Sequence, residues 1–235
     1  MNKLVLFDID KTLIEGSKGH REAFSYAFKQ VYGVETGIDF INPEGMTDQQ
    51  IIIEVLKKKG LREQVILAKI SECMETMSDF FKRSIETNEV TLLPGVNELL
   101  KELKRQGVLM GLVTGNLESI ARGKLYKAGI NSYFEVGGFG SDHKDRAELV
   151  RMATKQAEEI FGFLKDNNVY LVGDTPRDIK AGKEAGVLTI GVATGPYSKE
   201  QLMEAGANFA LENLNDKSRI SEILGLADQG LERKN

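Results

Sequence analysis

The chain has 235 residues, 41% hydrophobic and 28% charged, with a formal net charge of −4. That balance excludes a disordered or low-complexity chain, offers no electrostatic basis for a nucleic-acid partner, and leaves no stretch near the ~18 uninterrupted apolar residues of a membrane span. The one cysteine, Cys73, cannot form an internal disulfide, and the amino terminus opens on a core strand rather than a leader-like segment, so the expected location is the cytoplasm.

The apolar run Leu4, Val5, Leu6, Phe7 reads as a buried parallel strand. Asp8 and Asp10 stand at its carboxyl end, where open α/β sheets bind ligands. One Asp there would serve as a helix cap; two call for another use. From about residue 16 to 88 the pattern is helical. Ala23, Phe24, Ala27, Phe28 and Val31 share a face between Lys18 and Tyr32. Thr47 or Asp48 caps a second helix ended by Gly60, and a third runs from Val65 to Ile85. After Pro94 and Gly95 a helix continues to Gly107, followed by a strand from Leu109 that ends in Thr114, Gly115 and Asn116. A helix through Ile120 and Leu125 to Gly129 comes next, then a short strand at Phe134–Val136 and a helix from about Asp145 to Phe161. The strand from Val169 runs into Gly173, Asp174, Thr175, Pro176, Arg177 and Asp178; a helix over Pro176–Ala185 and strands at Leu188–Val192 and Phe209–Leu211 complete the order. The polar tail Gln229–Asn235 is expected to fray. Strand-helix alternation predicts an α/β fold, a doubly wound (Rossmann-like) parallel sheet with right-handed crossovers.

Three strand ends therefore bring four acids, a Thr and a Gly-Asn turn to one edge of the sheet. Carboxylates so crowded repel one another unless a divalent cation neutralises them, and an oxygen-only set with a phosphate nearby suits Mg²⁺. The Asp8-x-Asp10-x-Thr12 block, Thr114, a later basic residue and the Gly173-Asp174-x-x-x-Asp178 block, in that order, resemble the four signatures of the haloacid dehalogenase-like hydrolase superfamily. The resemblance implies a Rossmann-like core over residues 1–15 and 89–235. It also implies a helical cap domain over 16–88 that covers the catalytic edge and selects the substrate.

It further implies phosphoryl transfer with Mg²⁺ as cofactor. Asp8 is the nucleophile, forming an acyl phosphate, and Asp10, on the same side of the extended backbone, is the acid and base. Asp10 must first be neutral, which a neighbouring charge and partial burial favour. Thr114, Gly115 and Asn116 would cradle phosphate oxygens, and Asp8, Asp10 (through its backbone carbonyl), Asp174 and Asp178 would hold or orient the metal. Asp174 also reads as the N-cap before Pro176. The third signature departs from the common Lys-Pro: in Ser141, Asp142, His143, Lys144, Asp145, Arg146 the spacing selects Lys144, whereas bidentate phosphate chemistry selects Arg146. His20 could reach a substrate or remain a surface or capping histidine. Gly45, Met46, Thr47 and Asp48 form either a helix start or a substrate-facing loop.

The leading expectation is a phosphatase on a small phosphate monoester, phosphoglycolate phosphatase-like. Its partner is a small phosphorylated metabolite rather than nucleic acid or membrane, and the protein is a monomer or homodimer. A phosphosugar mutase of the β-phosphoglucomutase type shares the same signatures, and a non-catalytic phospho-binding regulatory protein is a further alternative, which loss of Asp8 or Asp10 would have supported; both are intact. A 2-haloacid dehalogenase resembles the family without the second acid, and Asp10 is present.

Overall fold

A computed structural model describes residues 3–16, 18–87, 89–164 and 168–226. Strands β1 (Leu4–Phe7), β2 (Leu109–Thr114), β3 (Val136–Phe139), β4 (Val169–Gly173), β5 (Leu188–Val192) and β6 (Phe209–Leu211) form one parallel sheet in the order β3-β2-β1-β4-β5-β6. The chain moves outward one way from β1 and the other way from β4. The crevice between those two strand ends is thus the topological switch point, where such sheets bind ligands.

Ten α-helices lie among the described residues: α1 (Lys18–Tyr32), α2 (Asp48–Lys58), α3 (Glu63–Ala68), α4 (Ile70–Ser84), α5 (Val96–Arg105), α6 (Glu118–Lys127), α7 (Arg146–Phe161), α8 (Pro176–Ala185), α9 (Lys199–Glu204) and α10 (Lys217–Ile223). Alternate strand residues feed two cores. Val5, Phe7, Met110 and Leu112 join the apolar faces of α5 and α10, while Leu4, Leu6, Leu109 and Val113 meet α7 and α8. Helices α1 to α4 close around a third cluster built on Phe24, Phe28, Val55, Met77 and Phe81, with Cys73 buried inside it. Leu117 and Ile120 of the α6 segment enter the same cluster, so this helical layer is seated on the sheet edge by apolar contact as well as by chain connection.

Several elements differ from the sequence expectation. The helix expected over Val65–Ile85 breaks at Lys69, because the Tyr32 hydroxyl takes the Ile66 carbonyl at 2.8 Å and the Lys69 ammonium crosses to the Val31 carbonyl at 3.1 Å. The strand expected at Phe134–Val136 instead runs Val136–Phe139, its signal hidden by Gly137 and Gly138. A Cβ on Gly138 would lie 2.2 Å from the Leu149 carbonyl oxygen, so close passage of α7 requires glycine there. Helices α9 and α10 were not anticipated; both are short, and α9 rests on a Ser198–Gln201 capping box. The tail Gln229–Asn235 lies outside the described residues.

In the middle of β2, a Cβ on Gly111 would meet Val136 Cγ2 at 2.6 Å and Leu6 Cδ2 at 2.8 Å. Gly111→Ala is expected to cost about 1–3 kcal/mol in urea denaturation. Combining it with Val136→Ala should cost less than the sum of the two single changes, since the second removes the atom that the first strikes.

Candidate active site

The carboxyl ends of β1, β2 and β4 carry the site. The Asp8 N–H donates to the Val172 carbonyl at 2.9 Å, which fixes the residue after β1 beside β4. Asp8, Asp174 and Asp178 are all buried, and each offers a carboxylate oxygen within 4.8 Å of the others. Asp178 is oriented by a capping box: its Oδ2 accepts from Thr175 N at 3.1 Å and from Thr175 Oγ1 at 2.6 Å. The N-cap of α8 is therefore Thr175 and not Asp174. Asp174 is freed from that duty, and its buried Oδ2 has no hydrogen-bond partner.

Arg146 opens α7 behind the N-cap Asp145, whose side chain accepts from Ala147 N at 2.9 Å. Its guanidinium is buried and pairs with Asp8 and, at 2.7 Å, with Asp178 Oδ1; Nη1 donates to the Gly45 carbonyl at 3.3 Å. Lys144, two residues earlier, is exposed, and its carbonyl accepts from Thr47 Oγ1 at 3.0 Å. Of the two basic candidates, Arg146 is the one brought to the acids. One cation does not offset three buried carboxylates. Burial pushes Asp8 up to about 7 against the opposing Arg146, with Asp178 and Asp10 adding to the rise. Burial followed by the charges of Asp178 and Asp8 pushes Asp174 up to about 9.

Asp10 belongs to a second group. Its carboxylate accepts from Lys124 Nζ at 2.8 and 2.7 Å and from Asn116 Nδ2 at 2.9 Å. The expectation of a neutral Asp10 is overturned: partial burial works to raise it, but Lys124, His20 and the bonds from Lys124 and Asn116 together hold it below the ordinary carboxylate value. Lys124 was missed by the sequence reading. It is 1% exposed, and its signal was a lysine on the inward stripe of α6, four residues after Ile120 and three after Ala121. His20 is neither a surface nor a capping residue. It stacks on Phe24 with ring centroids 5.2 Å apart and lies between Lys124 (3.1 Å) and Asp48 (3.0 Å).

Thr114 is buried, with its hydroxyl accepting from Asn116 N at 3.3 Å and Nδ2 at 2.9 Å. Gly115 and Asn116 line the cavity and Thr114 does not. Residues 45–48 serve both expected purposes: Thr47 caps α2, and the turn walls the cavity. The turn approaches so closely that the Gly115 carbonyl accepts from Asp48 N at 2.7 Å, and a Cβ on Gly115 would lie 2.2 Å from the Met46 carbonyl oxygen. A half-open pocket of about 360 Å³ lies between the two acid groups and Phe24, Ile38 and Ile51. Lys11, immediately after Asp10, is the one non-glycine residue in the left-handed region among those described (φ 62°), and its carbonyl accepts from Thr194 Oγ1.

The arrangement of strand-end acids, buried base and covering helices is accompanied by a family match: the model of the haloacid dehalogenase-like hydrolase family covers residues 5–192. The chain belongs to that family. Among curated relatives, it is 26% identical over 233 residues to the glyceraldehyde 3-phosphate phosphatase of Methanocaldococcus jannaschii, covering 92% of this chain and 95% of that one. It is 26% identical over 239 residues to phosphoglycolate phosphatase 1 of Pseudomonas aeruginosa, covering 98% and 81%. Its fold is shared with the crystal structure of CbbY from Rhodobacter sphaeroides in complex with phosphate, at a TM-score of 0.70 and 19% identity, covering 92% of this chain and 96% of that one.

The acid cluster of this haloacid dehalogenase-like hydrolase gives a pH signature. Asp8 and Asp174 have folded-state values above the ordinary one, so between about pH 4 and pH 9 the native state binds more protons than the unfolded state, and stability falls as pH rises. Urea midpoints measured in EDTA should therefore decline from pH 5 to pH 9. A divalent cation should raise them most at the alkaline end, where the carboxylates it would neutralise are charged.

Proposed function

We propose that this hydrolase is a Mg²⁺-dependent phosphatase that hydrolyses a small phosphate monoester through an aspartyl phosphate on Asp8. The observation that carries the reading is the position of Asp8 beside two differently compensated acid groups. On one side are Asp174, Asp178 and Arg146; on the other is Asp10, held by Lys124 and Asn116.

The residues present fit a hard divalent cation: three buried carboxylates converge, the donor set is all oxygen, and Asp174 Oδ2 is left without a partner. Asp8, Asp174 and the backbone carbonyl of Asp10 would hold it, with Asp178 oriented by Thr175 beside them. When bound, the cation supplies charge neutralisation of the carboxylates and of the phosphate oxygens. The chain's own groups do the rest. An Asp8 carboxylate oxygen attacks phosphorus, and the P–O bond to the leaving alkoxide breaks with its electron pair. Arg146 lies where its planar fork can hold an equatorial phosphate oxygen, and Gly115 and Asn116 wall the same space. Asp10, a carboxylate at rest, would take up the proton of the monoanionic phosphate ester, give it to the departing alkoxide, and then accept one from the attacking water.

Residues 16–88 act in this reading as the cap. The half-open pocket they cover, about 360 Å³, is of a size for a small metabolite rather than a polymer, which supports a phosphoglycolate-type ester of few carbon atoms. Inorganic phosphate release from a panel of such esters is expected with Mg²⁺ and to vanish in EDTA. Asp8→Asn should lower kcat by at least about 10³-fold while the protein remains folded. Undiminished release by Asp8→Asn would refute the nucleophile assignment.

A further inference from the structure

Lys124 is buried to 1% exposure and meets four acceptor atoms: both Asp10 oxygens, Asn116 Oδ1 at 2.6 Å and His20 Nδ1 at 3.1 Å. An ammonium carries three hydrogens and accepts nothing. The contacts are satisfied by one hydrogen shared across the Asp10 carboxylate, one to Asn116 and one to His20. His20 Nδ1 is then an acceptor, so its hydrogen is on Nε2 and is donated to Asp48 Oδ2. Asp48 Oδ2 also accepts from Leu117 N at 2.8 Å, at the start of the helix that bears Lys124. The ring thus closes: α6, His20 of α1, Asp48 of α2, and back to α6. Within it the two Asp10 oxygens differ. Oδ2 accepts from both Lys124 and Asn116, while Oδ1 accepts from Lys124 alone and faces Gly16.

We propose that Lys124 is a positioning residue for the hydrolytic half of the reaction, holding the Asp10 carboxylate so that the less engaged oxygen, Oδ1, keeps a lone pair for the attacking water, and that it is itself held by the His20–Asp48 arm. The proposal rests on the phosphatase reading and extends it to a residue outside the four signatures. In the step concerned, a water oxygen attacks the phosphorus of the Asp8 acyl phosphate. The bond from phosphorus to the Asp8 oxygen breaks, its electron pair returns to the Asp8 carboxylate, and the water proton passes to Asp10 Oδ1 as inorganic phosphate forms.

The probe is p-nitrophenyl phosphate, whose leaving group needs no proton, so that kcat/KM reports transfer to Asp8 and a slowed second step appears in kcat alone. Lys124→Met, with Mg²⁺ and with a native far-ultraviolet spectrum and melting transition, is expected to lower kcat at least about tenfold while kcat/KM changes less than about threefold. Acid-quenched, alkali-labile label on the protein should rise in step. His20→Gln accepts through Oε1 and donates through Nε2, and should stay closer to the wild-type kcat than His20→Phe. Nitrogen-15 spectra should show the Nε2–H tautomer of His20 whether or not the protein turns over. A parallel fall of kcat and kcat/KM without label, or an Nδ1–H tautomer, overturns the proposal alone. No turnover and no label in the wild-type protein would overturn the phosphatase reading and, with it, the catalytic role of Lys124.

Discussion

Everything at the sheet edge follows from compensating buried negative charge. Asp8, Asp174 and Asp178 are held nearly free of water within 4.8 Å of one another, with Asp10 close by. Charges removed from water are costly by several kcal/mol each unless paired and hydrogen-bonded. The protein answers with two buried cations from two helices, Arg146 from α7 and Lys124 from α6. The compensation is unequal. Asp10 is fully gripped and held as a carboxylate, whereas Asp8 and Asp174 are pushed toward the protonated form by burial that one shared guanidinium does not offset. Under the proposed reading, the incompletely compensated Asp8–Asp174–Asp178 group would hold a cation, and the gripped Asp10 would act as a base of fixed orientation.

The sheet delivers this without special backbone at most positions. Parallel strands β1, β2 and β4 end at one level because their registers align Phe7 with Leu112 and with Val172, so residues just beyond them converge. Glycines enter where other segments of the chain come close. Gly115 lets the turn at Met46 and Thr47 lie against the site, and a Cβ on Gly195 would fall 1.8 Å from Asp174 Oδ2. The covering helices are fastened by bonds to backbone rather than by flexible side-chain pairs alone: Asp48 N to Gly115 O at 2.7 Å and Gln49 Nε2 to Gly140 O at 2.7 Å. Such fastening sets the depth of the cavity to within the tolerance of a hydrogen bond.

Much of this was legible in the chain. Continuous apolar runs mark the central strands because strands buried on both faces need no alternation, and the acids directly after them mark the strand ends where Asp8, Asp174 and Asp178 converge. Failures came where the deciding contact was remote. Gly138 helps conceal a strand because its absent side chain is demanded by Leu149, eleven residues away. The Lys69 break depends on Tyr32 and Val31 of another helix. Lys124 read as part of an ordinary amphipathic helix, since only the fold shows that its carbon stem runs inward to Asp10, more than a hundred residues earlier. The protonation expected for Asp10 failed for the same reason: its nearest charged neighbour in space is a lysine that spacing along the chain could not supply.

The choice of cation at each group follows from the directions of the acceptors. Around Arg146 they lie on one flank of the planar fork: Asp8 and Asp178 toward Nη2, with the Gly45 carbonyl toward Nη1. A guanidinium meets such a set with fixed, coplanar donors and keeps its charge whatever the surroundings. Around Lys124 the acceptors lie in different directions and on different elements: Asp10 after β1, Asn116 after β2 and His20 on α1. An ammonium distributes three hydrogens over a wide solid angle, and a planar fork of greater bulk could not enter a space already bounded by Asn116 and His20 without displacing them. Arg146→Lys and Lys124→Arg are thus both charge-conserving and both geometrically wrong. The basic residue selected by ungapped spacing, Lys144, stands before the α7 N-cap and is exposed, while Arg146, one residue past that cap, is buried against Asp8 and Asp178.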